Sequence, residues 1–452
     1  MMTVKEVASV LGSKWQGKDT LFTGVSTDSR KIERGDLFIG LKGERFDGDE
    51  FVSTASEKGA VAAMVNQSTG IKIKELGIPL IFVKDTRIGL GRLAGYWRRR
   101  FTLPLVAVTG SNGKTTVKEM IASILSQMAG SKDRVLSTEG NLNNDIGVPQ
   151  MLLRMREKHD YAVIEMGMNH AGEIGYLSEL VRPSVALINN AGEAHLDGLG
   201  SVEAVARAKG EIFEGLGLTG VAVINADDVY APLWRKLAGS RRVVDFGLNS
   251  GAMVSAHYQT NLFNIKMELM LPDGTEEVSL QVPGEHNVRN ALAAAAATTA
   301  MGIGKETIAQ GLRGFCGIKG RMQKKHGLNE AILIDDSYNA NPESVRAAIA
   351  VLAAAQGKRI LVLGDMGELG SNAVTLHEQI GEEARLAGLD GLFAMGKLSA
   401  ATVEKFGKGA RHYERIEELV AEVRDQLAAD VTVLVKGSRF MQMERVVEAI
   451  EA

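Results

Sequence analysis

The strongest chemical signal in the chain is the sequence TGSNGKTT at residues 109–116. Backbone N–H groups of a glycine-rich turn can surround phosphate oxygens, and a helix that follows adds its positive end. Lys114 would reach the outer phosphates of a nucleotide, and the Thr115 hydroxyl would ligate Mg²⁺. The spacing departs from the usual P-loop, because Val108 stands where the first glycine belongs. The alternative is a tight turn with a surface lysine.

We therefore predict an ATP or GTP site at this turn. Its residues are Gly110, Ser111, Asn112, Gly113, Lys114, Thr115 and Thr116.

Two side chains further along the chain, those of Glu165 and His195, have types that suit a metal site. Glu165 ends a buried strand next to the phosphate loop, where an acid can bind Mg²⁺ directly or through water. His195 follows another strand; alone it is typical of a hydrogen-bonded loop histidine, but with Glu165 it could hold a second metal. Lys209 lies in a helix predicted over 201–214, and composition alone indicates a solvated helix lysine.

The elements that must position these residues form an α/β pattern. Near-continuous Val, Ile and Ala runs separated by helices begin at Leu103 and predict a parallel sheet covered on both faces. A second such sheet begins near Gly317. The first stretch contains shorter strands, at 60–65 and 78–83, between glycine-rich turns, and a further helix is expected over 291–304. We predict three domains, at 1–84, 85–316 and 317–452.

A helix is also predicted over residues 85–100, at the start of the second predicted domain. Three consecutive arginines at its end, beginning with Arg98, suit a helix C-terminus and are interpreted as a solvated end. Its expected apolar side consists of Ile88, Leu90, Leu93, Tyr96 and Trp97.

Composition excludes several classes of protein. The 452 residues include 52 Lys and Arg against 55 Asp and Glu, and a net charge of −3 lacks the basic excess of a nucleic-acid-binding protein. No run of 18 apolar residues predicts a membrane span, and the N-terminus lacks the apolar core of a signal peptide. The single cysteine, Cys316, favours a reducing compartment and hence a cytoplasmic location. We interpret Cys316 itself as a small buried residue.

Motifs along the whole chain resemble those of the Mur ligases, ATP-dependent enzymes of bacterial cell-wall synthesis. The residues at 26–48 resemble a UDP-sugar-binding domain of that family. Within the family, DDSYNANPES, LGDMGELG and KGSRFMQME are similar to the member that adds D-alanyl-D-alanine, and the D-N-P-R-type motif of the ligase for the third amino acid is absent. The motifs that occur in family order are TGSNGKTT, EGNLNNDIG, AHLDGLGS, AKGEIF, GEHNVRN, GRMQ and DDSYNANPES.

The resemblance implies a fold and a reaction. The three domains would be an N-terminal UDP-substrate-binding α/β domain, a central P-loop-type parallel-sheet ATPase domain and a C-terminal Rossmann-like domain. ATP would phosphorylate the carboxylate of UDP-N-acetylmuramoyl-tripeptide, and the amine of D-alanyl-D-alanine would attack the acyl phosphate. No nucleic acid and no membrane span are expected, and a monomer is the expectation. A ligase for another amino acid, folylpolyglutamate synthase and a nucleotide-binding switch remain the alternatives.

The resemblance also implies roles for residues. Lys114, Glu165, His195 and Lys209 would be catalytic, with one Mg²⁺ on Thr115 and Glu165 and a second on His195 and Lys209. A protonated lysine has no acceptor, so Lys209 would be carbamylated, as in the family. LGDMGELG and KGSRF, at strand ends of the third unit, would face the acceptor and the acyl group.

The nucleotide and the UDP group would each have their own contacts. The implied nucleotide-binding residues are Asn144 and Asn287 near adenine, Arg321 at the phosphates, Asp336 at the ribose, and Asn339 and Asn341 against the nucleotide. The implied UDP-binding residues are Ser29, Arg30, Lys42, Gly43, Arg45 and Phe46. Arg30 would pair with pyrophosphate, although a surface salt bridge explains it nearly as well.

Overall fold

The computed structural model describes residues 1–43, 46–68, 77–249 and 251–452, so the predicted UDP-binding residue Arg45 lies outside the described residues. Its first unit contains a five-stranded sheet with one antiparallel edge strand, Lys14–Gln16. In spatial order the strands are Lys14–Gln16, Leu80–Val83, Ala62–Asn66, Asp36–Ile39 and Gly24–Ser26. Met2–Thr3 pairs with Leu21–Phe22, and the helices are Val4–Leu11, Gly48–Phe51 (3₁₀) and Val52–Glu57.

The helix predicted over residues 85–100 is present as Thr86–Arg98. The Asp85 side chain caps its N-terminus, and Leu90, Leu93 and Trp97 are buried. Ile88 is exposed, contrary to prediction. It precedes the buried Leu90 by two residues, so the two side chains lie about 200° apart around the helix axis. The interpretation of Arg98 as part of a solvated end is also wrong. Its guanidinium is buried and donates to the carbonyls of Val181 and Phe101, which ties this helix to the second unit.

The second unit is built on six parallel strands whose central member carries the phosphate loop at its end. In spatial order they are Arg242–Phe246, Val221–Asn225, Val185–Ile188, Leu105–Thr109, Tyr161–Glu165 and Val135–Ser137. The helices around this sheet are Lys114–Ala129, Lys132–Arg134 (3₁₀), Gly147–Leu153, Glu173–Val181, Leu196–Leu199, Val202–Gly210, Glu211–Phe213 (3₁₀), Ala231–Ala238, Glu285–Ala300 and Lys305–Arg313.

A three-stranded antiparallel sheet, which the sequence analysis did not predict, lies between the last parallel strand and the helix Glu285–Ala300. Its strands are Ser255–Thr260, Ile265–Leu271 and Gly274–Leu280. In Ile265–Leu271 buried and exposed residues alternate, as expected of a sheet with one face on the core. The helix predicted over 291–304 begins six residues earlier and ends at Ala300, before Gly302 with φ +80°.

The third unit contains a second six-stranded sheet, parallel except for one edge strand. In spatial order its strands are Gln323–His326 (antiparallel), Ile332–Asp336, Val431–Lys436, Lys358–Gly364, Gly391–Met395 and Ala410–Tyr413. Its helices are Leu328–Glu330 (3₁₀), Pro342–Ala353, Gly370–Asn372 (3₁₀), Ala373–Leu386, Ser399–Phe406, Ile416–Asp425, Arg439–Met441 (3₁₀) and Glu444–Ile450. Cys316, just before this unit, is exposed, so its predicted burial is wrong.

The α/β class with parallel sheets is confirmed by these three units. Within the described ranges, no helix has the length and apolar character needed to cross a bilayer.

Candidate functional site

The phosphate loop joins the central strand Leu105–Thr109 to the helix Lys114–Ala129, as predicted. Gly113 has φ +78°, and a side chain there would overlap the amides of Asn189 and Asn290. These constraints require glycine at the position just before the helix. Two asparagines from the neighbouring strand end fix the loop, because Asn190 Oδ1 accepts from the Asn112 N–H at 2.8 Å and Asn189 Nδ2 donates to the Asn112 carbonyl at 2.9 Å.

The two reactive side chains of the loop are held by partners inside the protein. Lys114 Nζ donates to the carbonyls of Gly110, at 2.7 Å, and Ser111, at 3.2 Å. Burial lowers the pKa of Lys114, and the Glu165 carboxylate opposes this. The Thr115 hydroxyl accepts from Arg321 Nη2 at 2.9 Å, so a predicted phosphate-binding arginine from the third unit already reaches the loop.

Glu165 presents one free carboxylate oxygen beside this loop. The residue is 2% exposed, and its Oε1 accepts from Asn143 Nδ2 at 2.8 Å. Its Oε2 is buried and has no hydrogen-bond partner in the described part of the chain. A buried, unpaired carboxylate oxygen is costly unless a cation or donor satisfies it. With the hydroxyl of Thr115, this donor set suits Mg²⁺, which prefers oxygen ligands.

His195 stands at the boundary between the second and third units. Its backbone has φ +58°, and its Nδ1 lies 2.7 Å from Oε2 of Glu368. Glu368 also has a left-handed backbone, with φ +61°. The contact with His195, and then the charge of Lys114, hold the pKa of Glu368 below its usual value. Glu368 belongs to the predicted LGDMGELG loop, but neither its residue type nor its spacing distinguishes it from a surface glutamate.

Lys209 is not the solvated lysine that composition indicated. It is 1% exposed, near the end of the helix Val202–Gly210. Burial lowers its pKa well below the usual value, and the charge of Lys114 lowers it further. The helix that carries it packs against the helices Leu196–Leu199, Glu173–Val181 and Ala231–Ala238, and the local sequence does not reveal these contacts. Burial thus disfavours the protonated form of this amine.

A cleft of about 980 Å³ lies where the second and third units meet. Gly110 and Lys209 are not among its lining residues. The predicted site residues that line it are Ser111, Asn112, Gly113, Lys114, Thr115, Thr116, Asn144, Glu165, His195, Asn287, Arg321, Asp336, Asn339 and Asn341. Among the described residues, no three His, Cys, Asp or Glu side chains form a ready metal cluster.

The third unit supplies the opposite wall of the cleft. Asp336 accepts from Lys436 Nζ at 2.6 Å and from the Met322 N–H at 3.2 Å, and Lys436 also donates to the Asn339 carbonyl. The Arg321 guanidinium lies 4.4 Å from the centre of the Tyr338 ring. Lys436 and Tyr338 were not predicted individually, although both lie in the motifs that carry the resemblance.

The predicted adenine-side asparagines use their polar groups within the protein. Asn144 Oδ1 accepts from the backbone N–H groups of Ile146 and Gly147, and Asn287 Nδ2 donates to the Pro283 carbonyl at 2.7 Å. Both side chains line the cleft but act there as local caps and braces. Next to Asn287, burial lowers the pKa of His286 to about 4, with Asp336 opposing the shift.

The predicted UDP-binding residues lie elsewhere, at the carboxyl ends of two neighbouring parallel strands of the first sheet. Ser29 and Arg30 follow Gly24–Ser26, and Lys42 and Gly43 follow Asp36–Ile39. None of the four lines the cleft, and neither does Phe46, which is exposed and packs against Gly43.

Arg30 forms the surface salt bridge that was the alternative to a pyrophosphate contact. Its Nε lies 2.9 Å from Asp28 Oδ1, and the arginine side chain is 85% exposed. Hydrogen bonds from Arg30 lower the pKa of Asp28 to about 2. Lys42 forms a similar surface salt bridge, in which its Nζ lies 3.8 Å from Oδ2 of Asp47.

Comparisons with known proteins extend over nearly the whole chain. Family models match residues 21–98 (Mur ligase family, catalytic domain), 108–298 (Mur ligase middle domain) and 320–439 (Mur ligase, glutamate ligase domain). The UDP-N-acetylmuramoyl-tripeptide--D-alanyl-D-alanine ligase of Escherichia coli K12 is 42% identical over 100% of this chain and 98% of its own length.

Two solved structures give the same result for the fold. A crystal structure of MurF from Acinetobacter baumannii has a TM-score of 0.92 and 37% identity, covering 99% of this chain and 98% of that one. MurF from Thermotoga maritima in complex with ADP has a TM-score of 0.84 and 27% identity, covering 96% and 98%. From these matches and the geometry of the cleft, the chain belongs to the Mur ligase family.

Proposed function

We propose that this chain is an ATP-dependent ligase that joins D-alanyl-D-alanine to UDP-N-acetylmuramoyl-tripeptide in peptidoglycan precursor synthesis. The observation that carries the proposal is the cleft, where a phosphate loop, the free oxygen of Glu165 and His195 face residues of the third unit. The names of the relatives support the choice of substrates, because the similarity extends over the full length of the chain.

ATP would bind with its phosphates at the loop, against the N-terminus of the helix Lys114–Ala129. Lys114 and Arg321 both lie at the loop and carry the positive charge that a triphosphate needs. Asp336 would face the ribose, because it lies on the opposite wall and is oriented by Lys436. The remaining nucleotide contacts would come from the asparagines of the cleft.

Mg²⁺ fits the donors that are present. Thr115 and Glu165 would hold one ion, and His195 with a carbamylated Lys209 would hold a second. Bound Mg²⁺ would neutralise charge on the phosphates and on the substrate carboxylate. Carbamylation is supported by a buried lysine whose pKa is lowered by burial and by Lys114, which favours the amine form that can add CO₂.

The chain itself would orient the reactants and keep water away. One carboxylate oxygen of the tripeptide would attack the γ-phosphorus of ATP, and ADP would leave from the loop with its charge stabilised by Lys114 and the helix N-terminus. The amine of the dipeptide would then attack the acyl carbon and expel phosphate. Contacts between Arg321 and Thr115 and between Glu368 and His195 close the cleft around this reactive intermediate.

We assign the other contacts by their place in the fold. The UDP group would bind at the strand ends that carry Ser29, Arg30, Lys42 and Gly43, and the acceptor near the loops 363–370 and 436–440. We propose domain limits at 84/85 and 316/317, a monomeric enzyme and a cytoplasmic location, where the single thiol stays reduced.

The test is a defined ligation assay. Purified protein with ATP, Mg²⁺, D-alanyl-D-alanine and the tripeptide substrate, in both its lysine and meso-diaminopimelate forms, should yield UDP-N-acetylmuramoyl-pentapeptide and one ADP per amide. Single amino acids in place of the dipeptide should yield no product. Ligation of lysine, meso-diaminopimelate or glutamate instead of the dipeptide would overturn the proposal, as would ADP release unchanged by omitting the dipeptide.

A further inference from the structure

Glu343 reaches from the third unit to the phosphate loop, and neither the sequence motifs nor the reaction assigns it a role. It lies in the first turn of the helix Pro342–Ala353, which Asn341 caps. Its Oε2 accepts from Asn112 Nδ2 at 2.8 Å, although the two residues are 231 positions apart. Asn341 Nδ2 donates to the Oδ1 of the same Asn112 at 2.8 Å. Both ends of the Asn112 amide are therefore held by the third unit.

The Glu343 carboxylate fits there only because residue 192 has no side chain. A Cβ on Gly192 would overlap both carboxylate oxygens of Glu343. Gly192 has no positive φ, so its backbone conformation does not itself require glycine. The close approach of Glu343 is thus a reason for glycine at this position.

The same glycine is bonded to the phosphate loop from the other side. The Gly192 N–H donates to Ser111 Oγ at 2.9 Å, and the Ser111 N–H donates to the Asn190 carbonyl at 3.0 Å. Glu343 therefore contacts the side chain of Asn112 and also Gly192, whose N–H is hydrogen-bonded to Ser111. The Glu343 side chain is thus bonded to Asn112 directly and is separated from Ser111 by Gly192.

The groups around the Glu343 carboxylate act on its charge in both directions. Arg346, one helical turn further on, lies 3.1 Å from Glu193 and 2.9 Å from Glu383. Burial raises the pKa of Glu343, while the backbone N–H of Glu193, Asn112 and Arg346 oppose the shift and the charge of Glu193 adds to it. A carboxylate in the first turn of a helix also lies at its positive end.

We propose that Glu343 is a positioning residue for ATP. Its carboxylate lies against Gly192 and accepts a hydrogen bond from Asn112. This contact orders the phosphate loop when the third unit packs against the second. The inference rests on the proposed function, because ATP is taken as the ligand of the loop. The inference adds to that function a link between two features: the packing of the third unit and the conformation of the phosphate loop. Glu343 and Gly192 form this link.

The experiment is a double-mutant cycle on Gly192→Ala and Glu343→Ala, with Glu343→Gln as the conservative variant and Gly217→Ala as the control. Gly217 is exposed and a Cβ there meets no atom within 4 Å. For each variant one would measure the KM for ATP, the KM for the tripeptide substrate, kcat, ATP affinity by calorimetry and the thermal unfolding temperature.

Glu343→Ala should raise the KM for ATP and weaken ATP binding about tenfold, the usual effect of losing hydrogen bonds to a charged group. The KM for the tripeptide should stay unchanged. Glu343→Gln keeps an acceptor for Asn112 and should recover most of the affinity. Gly192→Ala should match or exceed the effect of Glu343→Ala, and the double variant should be no worse than Gly192→Ala, since both changes remove the same contact.

The inference would be overturned by unchanged ATP affinity in Glu343→Ala, by additive effects in the cycle, or by equal changes in the KM values for ATP and tripeptide. If only Gly192→Ala lowered the unfolding temperature, the ATP affinities of Glu343→Ala and Glu343→Gln would decide whether the inference holds. Failure of the wild-type protein to bind ATP or to ligate would count against the proposed function, whereas normal wild-type ligation with unaffected Glu343 variants would count against this inference alone.

Discussion

The cleft between the second and third units and the strand ends of the first sheet hold charged residues in opposite surroundings. In the cleft, Glu165 is 2% exposed and its Oε2 has no hydrogen-bond partner among the described residues. On the first sheet, Arg30 is 85% exposed and already paired with Asp28. Buried charges without partners are costly and point to a ligand or a reaction, whereas exposed pairs are stable without one. The cleft is therefore organised for chemistry, and the first sheet for a substrate that binds from solvent.

Loss of Lys209 should have the largest effect in the molecule. Lys209→Ala would remove the residue proposed to hold the second metal ion, and we expect ligation to fall about a hundredfold to a thousandfold. A short carboxylic acid should restore part of the activity by replacing the carbamate oxygens, and bicarbonate should stimulate the wild type. The exposed helix lysine Lys236 offers a matched control, since Lys236→Ala should be as active as the wild type. Activity that persists in Lys209→Ala, or a loss that no acid rescues, would count against the carbamate.

Arg321 should come next, because it links the two walls of the cleft. Arg321→Ala removes the donor to Thr115 and the ring contact with Tyr338, and we expect kcat/KM for ATP to fall roughly tenfold to a hundredfold. Lysine should substitute poorly, since it lacks the planar guanidinium. Steady-state kinetics should show an unchanged KM for the tripeptide. Lys319→Ala, an exposed neighbour, should behave as the wild type, and an equal loss in it would contradict the assignment.

Acid should destabilise the cleft through His286. The pKa of His286 is about 4 in the folded cleft against about 6.5 in an unfolded chain, so the unfolded state binds its proton first as pH falls. Its contribution to stability is complete above pH 6.5 and is lost between pH 6.5 and 4. Urea unfolding across this range should give a weaker pH dependence for His286→Gln than for the wild type. The same slope in both proteins would show that His286 does not remain neutral.

Arg30 should give the smallest change, because an exposed arginine is screened by solvent. Arg30→Ala should raise the KM for the UDP substrate only a few-fold, with the difference shrinking as salt is added. The KM for ATP should not change, which kinetics at two salt concentrations would establish. A larger, salt-independent effect would mean that Arg30 becomes buried against pyrophosphate when substrate binds, and the contrast between the two regions would then disappear in the complex.

Elements with strong local patterns could be predicted from the sequence. The apolar runs located the strands of the parallel sheets, and the glycine, lysine and threonine types located the phosphate loop. The antiparallel strand Ile265–Leu271 was missed even though its residues alternate between buried and exposed. Alternation in this single strand is a weaker signal than the near-continuous apolar runs of the parallel strands.

Residues whose role depends on distant parts of the chain could not be found in this way. Arg98, Lys209 and Glu343 are of residue types that usually lie on the exposed faces of helices. Their burial or contacts come from packing between units, as in the hydrogen bond from Asn112 to Glu343. The resemblance to a family identified Lys209, but only the three-dimensional arrangement revealed Glu343 and Glu368.

The central claim is that the cleft brings the tripeptide carboxylate to the terminal phosphate of ATP. Labelling that carboxylate with ¹⁸O and analysing the phosphate released during ligation tests it most directly. Transfer of a carboxylate oxygen to phosphorus predicts one labelled oxygen per phosphate from a fully labelled carboxylate. Unlabelled phosphate, formed while the amide is made, would contradict the account.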